Sequence, residues 1–151
     1  MELVDNMEDY FQNSIHISYR GDLILLKDQV ISAKINIKGK YEFDGIFKYT
    51  LQHFHESHYT IGVYEGPSVE INTSYSTSNF GDWLPLYLNF PNEFAESVKK
   101  AGIDLVTNAN NHLLDKKIKG AMKALDVLDK CKITNIGTYI NKEEKRKNNY
   151  Y

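Results

Sequence analysis

The sequence predicts an α/β fold: a mainly parallel sheet with flanking helices. Two observations predict it. Short apolar runs of strand character alternate with segments of helical period, which implies parallel strands joined by right-handed crossovers. The apolar runs also stop on turn or charged residues, at Gly21-Asp22 and Glu65-Gly66-Pro67, as strands feeding loops do. Length sets the scale. The 151 residues suffice for one domain that buries roughly 68–70% of its unfolded surface.

Residues 14–20 (SIHISYR) alternate Ile15, Ile17 and Tyr19 with polar neighbours and read as a strand running into Gly21-Asp22. Residues 23–26 are apolar and either extend it or pack as a loop. Residues 29–41 are mixed, with Gly39 as a breaker, and read as an irregular connection or short hairpin. A helix is expected over residues 44–56, where Ile46, Phe47, Thr50, Leu51 and Phe54 share one face of a 3.6-residue period. Residues 59–64 (YTIGVY) form a short apolar strand. Residues 68–87 are long, polar and aromatic. A loop of that length is usually functional or disordered, and its Tyr and Trp content argues for an ordered surface excursion.

Pro91-Asn92 opens the next helix, with Phe94, Val98 and Ala101 on its inner face and Gly102 as its stop. Residues 103–107 (IDLVT) form a strand. A helix over residues 115–130 is expected to bury Ile118, Ala121, Met122, Leu125 and Leu128, and residues 133–136 supply another strand. The tail starts as a capped helix, with Asn141 as N-cap and Glu144 at the third helical position. Neither an internal repeat nor a linker is visible. Residues 1–13 read as an N-terminal segment and residues 14–151 as one domain.

Apolar residues at 42% and charged residues at 25% are ordinary for a soluble globular chain. The net charge of −2 argues against nucleic acid as a partner. No run of about 18 apolar residues is present, so no membrane span is expected. The first residues, MELVDNMEDYFQNS, have neither a basic nor an apolar stretch, so a secretory signal is not expected. The single cysteine, Cys131, sits at the end of a helical pattern and reads as a half-buried structural thiol.

In open parallel sheets ligands bind beyond the carboxyl ends of the strands. Three such ends carry side chains able to bind metal or transfer protons: Asp22, Glu65, and the trio Asn110-Asn111-His112. Hard oxygen donors suit Mg²⁺ or Mn²⁺, and the imidazole would admit iron or zinc. Loops ending in Glu-Gly-Pro and Asn-Asn-His bring backbone close to one cleft, which makes Gly66 and Asn110 candidate substrate contacts. Each residue also has a plain reading. Asp22 after Gly21 is also a turn or cap residue, Glu65 a solvated carboxylate, the asparagines turn formers, and His112 a polar residue near a helix start. Their coincidence at three strand ends favours a site. His53 and His55 point about 200° apart on a helix and cannot grip one metal.

The motifs GD at 21–22, YEFDGIF at 41–47, EGP at 65–67, YLNFPNEFAESVKKAGIDLVTNANNHLLD at 87–115 and LDVLDK at 125–130 closely resemble the CapA family. Its members are bacterial proteins tied to capsule and poly-γ-glutamate synthesis, related to the calcineurin-like metallophosphoesterases. The likeness runs from about residue 15 to residue 144. It implies the N-terminal half of a four-layer sandwich, two sheets flanked by helices, with a metal cluster at the strand ends.

By that likeness Asp22 and Glu65 are carboxylate ligands of a divalent metal (Mn, Fe, Zn or Mg), and Asn111 matches the ligand Asn of an Asn-His motif. His112 is then the histidine that steadies a phosphoryl oxygen or protonates a leaving group. A phosphoester or a polyanionic polymer is the implied substrate, and the family is usually associated with the cell surface. Two departures stand out. Val63 occupies a position where relatives often carry Asn, and no histidine follows Leu113, so the family's downstream histidine motif is missing. The resemblance therefore implies a truncated member whose site is completed by a homodimer or a second chain, with weak or no hydrolysis alone.

Overall fold

The computed structural model describes residues 14–35, 39–69, 74–83 and 85–148. Four strands form one parallel sheet in the order of the chain: β1 (Ile17–Leu23), β2 (Tyr59–Tyr64), β3 (Leu105–Thr107) and β4 (Thr134–Ile136). The helices are α1 (Lys27–Ser32), α2 (Asp44–Phe47), α3 (Leu51–His55), α4 (Asn92–Lys100), α5 (Lys117–Lys130) and α6 (Lys142–Asn148). The predicted α/β class with a parallel sheet is therefore correct.

Strand order has a consequence for the faces. Each strand is added on the same side of the last, so right-handed crossovers all pass over the same face. On that covered face Leu23, Thr60, Gly62, Tyr64 and Val106 are buried. The opposite face carries Ile17, Tyr19, Tyr59, Ile61, Val63, Leu105, Thr107, Thr134 and Ile136, which are in register. Every one of these is exposed or half-buried. Parallel sheets are ordinarily covered on both faces, and here, among the described residues, one apolar face is left open.

The core beneath the covered face is aromatic. Phe94 of α4 has ring centroids 5.3 Å from Phe90, 5.6 Å from Phe43, 5.8 Å from Tyr64 and 6.3 Å from Phe47. Such pairs add about 0.5–1.5 kcal/mol each beyond their buried area. Gly102 ends this helix region at φ +93, where a Cβ would also meet the His55 ring at 2.9 Å. The long excursion after β2 has no regular structure among its described residues, yet it is pinned. The fully buried Asn89 donates from Nδ2 to the Val69 and Ser74 carbonyls and accepts from the Val69 N–H.

Several sequence expectations need correction. The first strand passes through Gly21-Asp22 to Leu23, because an extra residue between Tyr19 and Asp22 absorbs the break. Residues 29–41 contain most of α1, only 6 residues long, and an antiparallel bridge between Lys34 and Tyr41. The helix expected over 44–56 is two short helices, because Thr50 turns both its N–H (2.8 Å) and its hydroxyl (3.1 Å) onto the Phe47 carbonyl. Ile46 and Thr50 are consequently exposed. Helix α5 starts at Lys117, after a run of turns. Its buried stripe includes Gly120, Ala121, Ala124, Leu125, Val127 and Leu128, whereas Ile118 (70% exposed) and Met122 (47%) face outward. Small residues let α5 lie close: a Cβ on Gly120 would meet Pro67 at 3.0 Å. The tail helix is capped as expected, Asn141 Oδ1 accepting the Glu144 N–H at 2.8 Å.

Candidate functional site

The site lies at the carboxyl ends of β1, β2 and β3, at the rim of the open face. Its first wall is a pair of carboxylates. Between Tyr19 and Asp22 β1 advances three residues while β2 advances two, from Ile61 to Val63. This bulge resets the alternation. In a regular strand Asp22 would fall on the covered face with the core; the extra residue turns it to the open side and sends Leu23 inward. Bulges re-aim side chains next to functional sites in this way.

Glu65 follows the last residue of β2, and its N–H is held by the Leu23 carbonyl at 3.3 Å. Asp22 and Glu65 stand within hydrogen-bonding reach of each other. Burial pushes the Glu65 carboxyl above the usual range; the Asp22 charge and a hydrogen bond with Asp22 push it further, and His112 pulls it back. Asp22 is exposed and Glu65 half-buried, and the charge on one carboxylate disfavours ionisation of the other.

The second wall is the loop after β3, held by hydrogen bonds of its own. Asn110 Nδ2 donates to the Tyr64 carbonyl at 3.0 Å, and Asn110 Oδ1 accepts the His112 N–H at 3.0 Å. One side chain thus clasps the end of β2 to the histidine loop. Asp115 Oδ2 takes two more donors: the Leu88 N–H at 2.7 Å and His112 Nδ1 at 2.8 Å. With Nδ1–H directed to Asp115, the Nε2 of His112 has no hydrogen-bond partner among the described residues. The His112 and Asp115 side chains are 16% and 11% exposed, so their contact is shielded from solvent.

The structure thus brings Asp22, Glu65 and His112 together. Asn110 serves the loop's own architecture. Gly66 is buried, and its missing side chain answers a packing demand, since a Cβ there would lie 2.6 Å from the Phe90 ring. Asn111 is exposed with no hydrogen bond among the described residues, which leaves its amide free for a ligand. Asn108 is fully buried, with neither side-chain polar atom partnered.

Asp115 is the residue that sequence reading passed over as a helix start. Its signal was the three-residue spacing from His112, which sets both on one turn. Its other partner, Leu88, lies 27 residues upstream. The remaining histidines behave as expected of surface groups, with His53 and His55 exposed. Burial raises the Cys131 thiol pKa, as expected of a structural cysteine.

The donor set suits a hard divalent cation as a partial shell. Two adjacent carboxylates are the kind of ligands that bind Mg²⁺ or Mn²⁺ when substrate phosphate oxygens and water fill the rest. Among the described residues no group of three or more His, Cys, Asp and Glu side chains is placed to hold a metal ion. Among the described residues, too, no helix is long and apolar enough to cross a membrane. No curated protein matches the chain. A family model described as bacterial capsule synthesis protein, PGA_cap, matches residues 16–151.

Proposed function

The chain belongs to the bacterial capsule synthesis protein family PGA_cap, and we propose that its strand-end cleft is a metal-dependent, phosphoesterase-like site serving that synthesis. The observation that carries this reading is the adjacency of two carboxylates, Asp22 and Glu65, to the anchored imidazole of His112. Asp22 and Glu65, with the Asn111 amide oxygen, would hold the divalent ion. When bound, that ion supplies a Lewis acid and lowers the pKa of a water.

The chain's own residues supply the rest. Asp115 fixes the ring so that Nε2 faces the cleft. In the protonated ring Nε2–H donates to a phosphoryl oxygen and then to the leaving oxygen, a role for which hydrogen-bond reach and orientation come first. The Asn110 clasp keeps the imidazole at a set distance from Glu65. Poly-γ-glutamate is the polymer whose handling the family resemblance suggests. Hydrolysis of bis(p-nitrophenyl) phosphate with Mn²⁺ tests the proposal. Slow Mn²⁺-dependent turnover is expected, lost in His112→Ala while Mn²⁺ uptake persists. Absence of both uptake and turnover in the wild type overturns it.

A second reading, a non-catalytic module that binds a polyanion or a partner chain, rests on the open apolar sheet face. A second layer packed there, from another copy or another chain, would lie beside Asp22 and Glu65 and could complete their shell. Mn²⁺ uptake without turnover, together with retention on immobilised poly-γ-glutamate, selects this reading.

A further inference from the structure

Beside the His112 loop runs a groove of about 400 Å³ whose lining carries no charged side chain. Leu114 (60% exposed), Ile118 (70%), Met122 (47%) and Ile140 (56%) line it with Tyr139 and Asn110. Four large apolar side chains exposed side by side are not scattered surface hydrophobics; contiguous patches of this kind mark binding surfaces. Its size falls in the range of small-molecule sites, about 300–1,000 Å³.

Position decides what it takes. Asn110 lines the groove and also bonds the Tyr64 carbonyl and the His112 N–H. The groove therefore begins at the wall of the polar cleft, and a ligand occupying both is apolar at one end and anionic at the other. Met122, unbranched and adaptable, suits a chain without fixed shape.

We propose that this groove binds the aliphatic chain of an amphiphilic phosphoester whose phosphoryl head lies in the Asp22–Glu65–His112 cleft. This rests on the phosphoester reading above and adds the chemical class of the substrate. The two are separable by calorimetry with Mn²⁺ present, comparing inorganic phosphate with ethyl to octyl phosphates below their micelle concentrations. Affinity is expected to rise with chain length, on the order of fourfold per fully buried methylene, until the groove is filled. Ile118→Asp and Met122→Asp alter exposed residues outside the cleft; they should abolish the chain-length gain and leave inorganic phosphate binding unchanged.

Phosphate binding with no chain-length gain, or a gain that survives in both variants, overturns the groove proposal alone. No phosphate binding by the wild type overturns the phosphoester reading and the amphiphile with it. A wild-type dimer that Ile118→Asp converts to monomer assigns the groove to a second copy of the chain and also overturns the proposal.

Discussion

The two walls of the cleft are built on opposite principles. On the β3 side a set of hydrogen bonds within the chain fixes the loop: Asn110 clasps Tyr64 to His112, and Asp115 gathers the Leu88 N–H and the imidazole, while the buried Asn108 amide has no partner among the described residues. On the β1–β2 side two carboxylates stand together, and burial, then the Asp22 charge, raises the pKa of Glu65. One wall is held by hydrogen bonds within the chain, whereas the other carries an electrostatic cost that a bound cation would relieve. Such a cost marks the carboxylate pair as a candidate site. In the proposed site the β3 wall sets the geometry of the imidazole, and the two carboxylates, with Asn111, would hold the ion.

That contrast can be broken at four points. The largest effect is expected from Asp115→Ala, which strands the N–H of the fully buried Leu88 and frees the imidazole. Unfolding titrations should show a loss of about 1–3 kcal/mol, together with loss of any Mn²⁺-dependent turnover. Asn110→Ala removes the clasp and leaves the Tyr64 carbonyl without that donor; about 1 kcal/mol is expected, with turnover reduced and Mn²⁺ affinity nearly unchanged. Asp22→Asn should act in the opposite direction. Without the repelling charge, the metal-free protein melts slightly higher at neutral pH, but Mn²⁺ no longer raises its melting temperature.

The smallest effect is a pH slope. A carboxyl whose folded pKa is raised holds its proton longer in the folded state than in the unfolded state. Metal-free stability should therefore decline as pH rises from the ordinary glutamate range through the raised Glu65 value. Thermal melts of wild type and Asp22→Asn over that range should show a flatter slope in the variant. A slope unchanged by Asp22→Asn would mean that the two carboxylates do not interact.

How far the sequence foretold this molecule depends on the kind of signal. The ends of β2 and β3 were legible, because apolar runs closed by Glu or Asn mark them, and Glu65 and His112 were singled out as candidates that way; the end of β1 was not, since the strand continues through Asp22 to Leu23. The bulge that turns Asp22 outward was not, since nothing local distinguishes Arg20-Gly21 from a plain turn. Three asparagines of one type also took three different places: Asn108 buried, Asn110 a clasp, Asn111 exposed. Composition carries no information on that division, because it depends on which neighbouring strand each meets.

Helix α5 illustrates a third limit. Ile118 and Met122 fit a core-facing period, but the helix buries Gly120, Ala121, Ala124, Leu125, Val127 and Leu128 instead, with Gly120 close against Pro67. Two apolar stripes were present, and only tertiary packing chose between them. The stripe left outside forms the groove next to His112. The open sheet face arises from another source, the strand order, which places every crossover on one side.

The most direct test of the account is Mn²⁺ calorimetry on wild type, Glu65→Gln and Asp115→Asn under the same conditions. Binding at a single site in the wild type is expected, weakened at least about tenfold in Glu65→Gln, since one of two charged ligands is gone. Asp115→Asn should retain that binding. Equal Mn²⁺ affinity in Glu65→Gln and wild type would contradict the assignment of the carboxylate wall as the metal-binding side.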